Sequence, residues 1–231
     1  MRKATNKNWQ RVTAAAAALA LCAGVLTGCG ASSSTAAGST VASSAAASEV
    51  SSEEADEMAA KNVADLIDAI YVQERNENTD AQCEAAKAAW DALTDAQKEM
   101  VEGEEADPDY FGRDTGDASK DDARNQDNIG DKEILVVSFG TSFNDSRAAD
   151  IKGIEDAIQA AYPDWSVRRA FTAQIIINHV QARDGEKIDN MEQALERAVA
   201  NGVKNLVVQP THLMHGAEYD EMMETVSYTH L

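Results

Sequence analysis

Residues 134–139, ILVVSF, form a continuous apolar run rich in β-branched side chains and stand directly before the tripeptide GTS at 140–142. Such a run is typical of a strand that other elements cover on both faces. Two further runs, SVRRAF at 166–171 and NLVVQP at 205–210, predict two more strands. Helical patterns separate the three runs. The alternation predicts an α/β fold with a parallel sheet and flanking helices.

The helices of this domain are expected over residues 144–161, 173–182 and 191–202. Asn144 or Asp145 can cap the first, and Gly202 is a suitable residue for the end of the third. The inner face of the first helix is expected to consist of Ile151, Ile154 and Ile158.

A small helical module is predicted over residues 53–101, before the α/β domain. Apolar side chains recur there at helical spacing. Thr79 with Gln82, and Thr94 with Gln97, fit the capping-box pattern and predict two helix starts. The stretch AAKAAWDALTDAQKEMV resembles short helical modules of Gram-positive envelope proteins, which implies a spacer or a surface that docks to an envelope protein. An acidic linker, 102–131, connects the module to the α/β domain, and Tyr110 and Phe111 in it can pack on that domain.

The chain begins with a basic segment, an apolar stretch and then Leu26-Thr27-Gly28-Cys29. This is the pattern of a secretory signal rather than of a permanent membrane span. The Leu-Thr-Gly-Cys ending resembles the bacterial lipobox, which implies a signal peptide over 1–28 and a lipid on the Cys29 sulfur. The Ser- and Ala-rich residues 29–52 then read as a tether. The expected location is extracytoplasmic, anchored by lipid to the cell membrane.

Composition argues against nucleic acid as a partner and against a disulfide within the mature chain. The formal net charge of -20 argues against nucleic acid, because phosphate binding needs clustered lysine and arginine. Of three cysteines, Cys22 leaves with the signal and Cys29 takes the lipid. Cys83 is then alone, so no disulfide can form within the mature chain. We expect Cys83 to be a small buried hydrophobe.

Three loops follow the carboxyl ends of the predicted strands, where open α/β sheets bind ligands. The first, Gly140-Thr141-Ser142, offers backbone N–H groups and hydroxyls that suit an anion, although a simple tight turn is the alternative. The loop from Thr211 to Glu218 carries His212 and His215, which can act as bases or metal ligands. Two histidines alone do not make a metal site. Glu218 opens a helix, so capping is a competing role for it.

Residues 133 to about 225 resemble the N-terminal half of the anaerobic sirohydrochlorin cobaltochelatases, the class II chelatases that insert cobalt into a tetrapyrrole during cobalamin synthesis. The residues that carry the resemblance are Leu135 to Ser142, Arg169 to Thr172, Arg183-Asp184-Gly185, and Gln209, His212, Gly216, Glu218 and Tyr219. They occur in the family's order over some ninety residues.

The resemblance implies a two-lobed fold, of which residues 132–225 are the first half, with the tetrapyrrole between the lobes. It implies Co²⁺ as the substrate metal, a tetrapyrrole substrate and no organic cofactor. The catalytic candidates are Glu218 and His212, both also possible metal ligands. The candidates for binding substrate carboxylates and positioning the macrocycle are Ser138, Gly140, Thr141, Ser142, Arg169 and Thr172.

The last residues, 226–231, resemble the translation of a transposon adapter used in sequencing libraries. This resemblance predicts that they are not part of the natural protein, that His230 has no role, and that the natural protein continues into a second half. A chain with only the first half is expected to be inactive alone.

Two other functions compete with the chelatase. An extracytoplasmic location is unusual for an enzyme whose substrate is made in the cytoplasm, so a lipoprotein that binds tetrapyrrole, haem or metal without catalysis is the main alternative. A further hypothesis is that the helical module docks to an envelope protein while the α/β half is vestigial.

Overall fold

Three strands of the chain form one parallel sheet. The structure is a computed structural model that describes residues 51–228. Its strands are β1 (Lys132–Ser138), β2 (Ser166–Phe171) and β3 (Asn205–Pro210). The order in the sheet is β2-β1-β3, so β1 is central. Both pairings are parallel, which confirms the predicted α/β fold class.

Helices surround the sheet and precede it along the chain. They are α1 (Ser52–Ile70), α2 (Thr79–Asp91), α3 (Asp95–Lys98), α4 (Asp109–Gly112), α5 (Asn144–Ser146), α6 (Lys152–Ala161), α7 (Gln174–Asp184), α8 (Met191–Ala200) and α9 (Ala217–Tyr228). Within residues 51–228, none of the helices is both long enough and apolar enough to cross a membrane. The predicted signal peptide, Cys29 and nearly all of the tether lie outside the described residues.

The central strand is covered on both faces, as its apolar run predicts. Successive side chains of a strand point to opposite sides. Leu135 and Val137 pack on one side against α8 and α9. Ile134 and Val136 pack on the other side against α6. Burial of these side chains contributes about 2 kcal/mol each to folding, which makes β1 the core of the domain.

The helix predicted over 144–161 is present but is interrupted by a π-helical turn at Arg147–Ile151. The prediction that Ile154 faces the sheet is wrong, since 45% of this residue is exposed. Position 155 faces inward instead, because the buried Glu155 pairs with Arg169 at 2.8 Å.

Helix starts follow the predicted capping pattern in one case and not in the other. Thr94 and Gln97 form the expected capping box at the start of α3. The box predicted for Thr79 and Gln82 is wrong, because the N-cap of α2 is Asn78 and makes no side-chain cap bond. The Thr79 hydroxyl is used differently and accepts a hydrogen bond from the Asn76 N–H at 2.9 Å. Gly202 lies just beyond the end of α8 with φ of 72°, a conformation that glycine adopts without strain.

The helical module packs directly on α7. Its core contains Ile67, Cys83 and Trp90, and it also includes Ala182 from α7. Cys83 is therefore the buried hydrophobe that the sequence predicts, and burial raises the pKa of its thiol to about 11. Since α1, α2 and the sheet share one compact unit, the module is attached to the α/β domain along a packed surface.

The acidic linker over residues 102–131 is the connector between the module and β1, and its side chains pack against both parts of the structure. Tyr110 stacks on His179 of α7 with a centroid distance of 4.1 Å, and Phe111 packs edge-on against Trp90. The side chain of Asp121 is fully buried between two arginines. The aromatic pair Tyr110 and Phe111 holds the connector at one point, and the Asp121 carboxylate holds it at a second.

Candidate functional site

The loops after the three strands meet at one edge of the sheet. Ser138 is the last residue of β1, and its Oγ accepts a hydrogen bond from the Thr211 Oγ1 at 2.9 Å. Thr172 follows β2, and its Oγ1 lies 3.4 Å from the Nε2 of His212. Residues predicted separately from three segments are therefore neighbours. Ser138 itself is buried and its hydroxyl supports Thr211, so it lies beneath the site.

Gly140 shapes the loop after β1. Its φ is +103°, and a Cβ at this position would lie 2.6 Å from a ring carbon of Phe171. An L side chain would be strained in this conformation and would also strike the ring. The loop therefore requires glycine for two independent reasons, its positive φ and its packing on Phe171.

Two arginines hold the same loop from below by its carbonyl groups. Arg147 donates from Nη1 to the carbonyl oxygens of Thr141 and Ser142, at 3.4 and 3.3 Å. Arg183 donates from Nη2 to the Ser142 carbonyl at 2.7 Å. No acceptor within the described residues is bonded to the N–H groups of Gly140, Thr141 or Ser142. With the Thr141 and Ser142 carbonyls fixed, the N–H groups of this loop can receive an anionic ligand.

The loop after β3 carries the two histidines in different environments. His212 is half-buried, and its Nδ1 is fully buried without a hydrogen-bond partner among the described residues. His215 is exposed and lies against Tyr219, with ring centroids 4.3 Å apart. Tyr219 also approaches His212 edge-on at 6.5 Å. His212 is therefore the histidine that the fold orders, next to Thr172.

Glu218 and Thr172 line the same cavity, which has a volume of about 690 Å³. Glu218 is half-buried in the first turn of α9, where the helix N-terminus stabilises a carboxylate. The apolar part of the wall comes from Phe171, Met191, Leu195, Val199 and Met222. A cavity of this size with an apolar wall and a few carboxylates suits an organic ligand.

Arg169 is not brought to this site, and its assignment as a substrate-binding residue requires correction. Its side chain is fully buried. It donates to both oxygens of Asp121 and to both oxygens of Glu155, at 2.7 to 2.8 Å. Because these carboxylates occupy its donors, Arg169 stabilises the connector and α6 and cannot reach a ligand.

The positioning roles of Arg147 and Arg183 were not predicted. Arg183 belongs to the Arg183-Asp184-Gly185 motif, so the sequence marks it as a residue of interest. Its contact with the Ser142 carbonyl is seen only in the fold. The sequence does not indicate a role for Arg147, because the inward direction of its side chain depends on the π-helical turn that begins at this residue.

A resident metal centre is not found in the part of the chain that the structure describes. No group of three or more His, Cys, Asp or Glu side chains there could hold a metal ion. His212 and Glu218 thus have no third ligand of these types among residues 51–228.

The geometry defines an α/β domain with a candidate ligand site at the carboxyl edge of its sheet, and comparison with known proteins shows what the domain is similar to. Residues 132–230 match the family model described as cobalt chelatase (CbiK). A sirohydrochlorin cobaltochelatase of Salmonella typhimurium is 39% identical over 95 residues, which are 41% of this chain and 36% of the relative. The sirohydrochlorin cobaltochelatase CbiKC of Nitratidesulfovibrio vulgaris is 27% identical over 95 residues, 41% of this chain and 33% of that relative.

These matches confirm the resemblance predicted from the sequence for the C-terminal part of the chain. The segment is similar in sequence to the cobaltochelatases, and its parallel α/β sheet agrees with a chelatase domain. The chain spans about a third of the length of the relatives it matches. The family match extends to residue 230, and the adapter origin of residues 226–231 stays a prediction.

Proposed function

We propose that the C-terminal domain is part of a sirohydrochlorin cobaltochelatase, which inserts Co²⁺ into the macrocycle. The observation that carries this proposal is the shared cavity of Thr172 and Glu218, with His212 in contact with Thr172. A protein homologous to cobaltochelatases presents a base, a histidine and an apolar wall at one place. The macrocycle is an apolar ring that suits the apolar wall, whereas its carboxylates need N–H or cationic donors.

Metal insertion exchanges both pyrrole N–H protons for one Co²⁺, so the site must accept protons while it holds the ring. Glu218 is the proposed first acceptor, since it is an acidic residue that lines the cavity. His212 is the proposed second acceptor or a transient ligand for the incoming Co²⁺, because a neutral imidazole can perform either role near pH 7. Thr172 holds the imidazole in position.

The substrate's carboxylates need donors, and the loop after β1 supplies them. The N–H groups of Gly140, Thr141 and Ser142 are the proposed contacts, with Arg147 and Arg183 fixing the loop from behind. Arg169 has no part in this scheme. A rigid anchor of this kind orients the ring so that its N–H groups face the base.

The test uses the protein encoded by the complete reading frame, obtained by resequencing across the codons for Glu224 and Thr225. Cobalt insertion into sirohydrochlorin is followed by absorbance for wild type, Glu218→Gln and His212→Ala. We expect losses of 10²-fold or more, an order of magnitude typical of a lost general base. Asp220→Asn, an exposed acid in the same turn of α9, is the matched control and should keep the wild-type rate. Equal rates for all variants would exclude the assigned roles.

A binding protein without catalysis is the second candidate, and the lipobox-like sequence before Cys29 is what favours it. Such a protein would capture a tetrapyrrole or haem outside the cytoplasm and would retain it. Titration of the complete protein with haem and with sirohydrochlorin separates the two functions. Tight retention without turnover supports binding, and turnover supports the chelatase.

Lipid anchoring at Cys29 is proposed on the sequence pattern alone. Labelled fatty acid should be incorporated into the wild-type protein and not into Cys29→Ala, which should also leave the membrane fraction. Labelling that persists in Cys29→Ala would contradict the anchor. An envelope partner for the helical module stays a prediction, for which crosslinking in whole cells is the test.

A further inference from the structure

The loop between α1 and α2 reaches the cavity that contains Glu218. Residues 73–75 of this loop line the cavity together with Thr172 and Glu218. The loop belongs to the helical module and lies outside the matched segment, residues 132–230. One wall of the candidate site is therefore made by a part of the chain that the family match does not cover.

A network of buried amides ties the module to the floor of this cavity. Asn178 of α7 donates from Nδ2 to the Ile70 carbonyl at 2.9 Å, at the end of α1. Gln174 donates to the Asn178 Oδ1 at 2.8 Å, and Asn190 donates to the Gln174 Oε1 at 2.9 Å. Gln174 and Asn190 both line the cavity. Since Gln174 and Asn178 are almost fully buried, the loop is held at a fixed place relative to the site.

Arg75 is the cation that this loop presents. Its Nη2 pairs with the Asp80 Oδ2 at 2.8 Å, and the Asp80 Oδ1 accepts from Gln181 of α7 at 2.8 Å. The side chain of Arg75 is 20% exposed, and Asp80 is its one charged partner within the described residues. Asp80 thus fixes one end of the guanidinium, and other donors of the group remain for a ligand.

The charge of the lining makes Arg75 decisive for an anionic ligand. The cavity is lined by the glutamates Glu74, Glu192, Glu196, Glu218 and Glu221, and Arg75 is the only cation among the residues of 51–228 that line it. These carboxylates repel a ligand carboxylate, whereas Arg75 can pair with it by charge-assisted hydrogen bonds. A carboxylated ring can enter in few orientations, and those that place a carboxylate on Arg75 are favoured.

We propose that the helical module forms a wall of the ligand cavity and that Arg75 positions the tetrapyrrole by pairing with one of its carboxylates. This inference rests on the proposed function and adds a residue that determines orientation and specificity. It also gives the module a role at the site itself. Arg75 acts on binding and orientation, and the proton transfers remain with Glu218 and His212.

The experiment is an absorbance titration of the full chain, in detergent, with sirohydrochlorin and with its methyl ester. Arg75→Ala should raise the Kd for sirohydrochlorin about tenfold or more, the change expected for a lost charge-assisted hydrogen bond. Arg75→Lys should restore part of the affinity, because it keeps the charge without the planar fork. Arg113→Ala is the matched control, since Arg113 pairs with Asp109 at 2.9 Å on an exposed surface.

The methyl ester distinguishes a contact with the ligand from a purely structural role. Wild type should bind the ester more weakly than the acid, and this preference for the acid should be clearly smaller in Arg75→Ala, where only the loop N–H groups still receive carboxylates. Equal Kd values for wild type and Arg75→Ala with the acid would overturn the inference while leaving the proposed function intact. Failure of wild type to bind either compound would overturn both. If Arg75→Ala does not fold, Arg75→Lys carries the test: a preference for the acid that is smaller than in wild type supports the contact, and an unchanged preference overturns it.

Discussion

The Nε2 of His212 lies 3.4 Å from the Oγ1 of Thr172, which joins the loop after β3 to the loop after β2. The two residues are forty positions apart in the chain, and β1 separates their strands in the sheet. Their contact arises because parallel strands deliver their carboxyl ends to the same edge. The threonine hydroxyl is thereby placed where it can orient the imidazole.

Loss of this hydroxyl should alter catalysis through the histidine. In the protein from the complete reading frame, Thr172→Val should lower the rate of cobalt insertion several-fold and change the shape of its pH profile, because the imidazole loses its hydrogen-bond partner. Thr172→Ser keeps the hydroxyl and should restore most of the rate. If the valine and serine variants show the same pH–rate profile, the contact has no catalytic importance.

Gly140→Ala should destabilise the domain by roughly 2 kcal/mol or more. The added Cβ would be strained at φ of +103° and would meet the Phe171 ring at 2.6 Å. Gly153→Ala in α6 is the control, since its Cβ would meet nothing within 4 Å. That variant should gain about 0.5–1 kcal/mol through helix propensity. Urea unfolding measures both, and a Gly140→Ala protein as stable as wild type would refute the packing argument.

His179 should make the stability of the protein depend on pH between about 4 and 6.5. Burial, together with the charge of Arg183, lowers the pKa of His179 from 6.5 to about 4. The unfolded chain therefore binds a proton in this range that the folded chain does not bind. The contribution of neutral His179 to the free energy of unfolding is fully present above pH 6.5. It is lost as the pH decreases toward 4, and the loss reaches up to about 3 kcal/mol.

His179→Phe tests this dependence and keeps a ring against Tyr110, which stacks on His179. The free energy of unfolding of this variant should change less than that of wild type between pH 6.5 and 4. His215→Gln, at an exposed position, should follow the wild-type curve. A wild-type slope in His179→Phe would assign the effect to other groups.

Asp121→Ala should be among the most destabilising changes in the connector. The substitution leaves Arg147 and Arg169 buried without their shared carboxylate, a change that typically costs 3–5 kcal/mol. Asp109→Ala removes one half of an exposed pair and should cost no more than about 1 kcal/mol. Thermal or urea unfolding of the two variants measures the difference, and equal losses would contradict the buried cluster.

The same carboxylate should contribute to acid sensitivity. Burial opposes the ionisation of Asp121, but the hydrogen bonds from Arg169 and Arg147 outweigh it and lower the pKa below 3.8. Its contribution to stability is therefore present above pH 3.8 and is lost as the pH falls through the lower folded value. Unfolding of wild type and Asp121→Ala between pH 5 and 2 should show the two curves converging at the acid end.

The strands and the residues at their ends could be predicted because each leaves a local signal. The runs SVRRAF at 166–171 and NLVVQP at 205–210 match β2 and β3 in full. Thr172, His212 and Glu218 follow from the rule that ligands bind at the carboxyl edge of such a sheet.

The arginines could not be assigned in this way because their partners are distant in sequence. Arg169 lies near the end of a strand and resembles an anion-binding residue in the sequence. In the structure it pairs with Asp121 and Glu155, which are 48 and 14 positions away in the chain. Arg147 turns inward through a π-helical turn, and Arg75 reaches the cavity because a module packs on α7. Such contacts depend on tertiary packing, which a periodic pattern does not encode.

The most direct test of the central claim is the initial rate of cobalt insertion into sirohydrochlorin by the protein from the complete reading frame, compared with the same mixture without protein. We expect the protein to accelerate insertion well above the background and to lose this acceleration in Glu218→Gln. A rate equal to the background, with a folded protein and saturating substrate, would contradict the assignment as a cobaltochelatase.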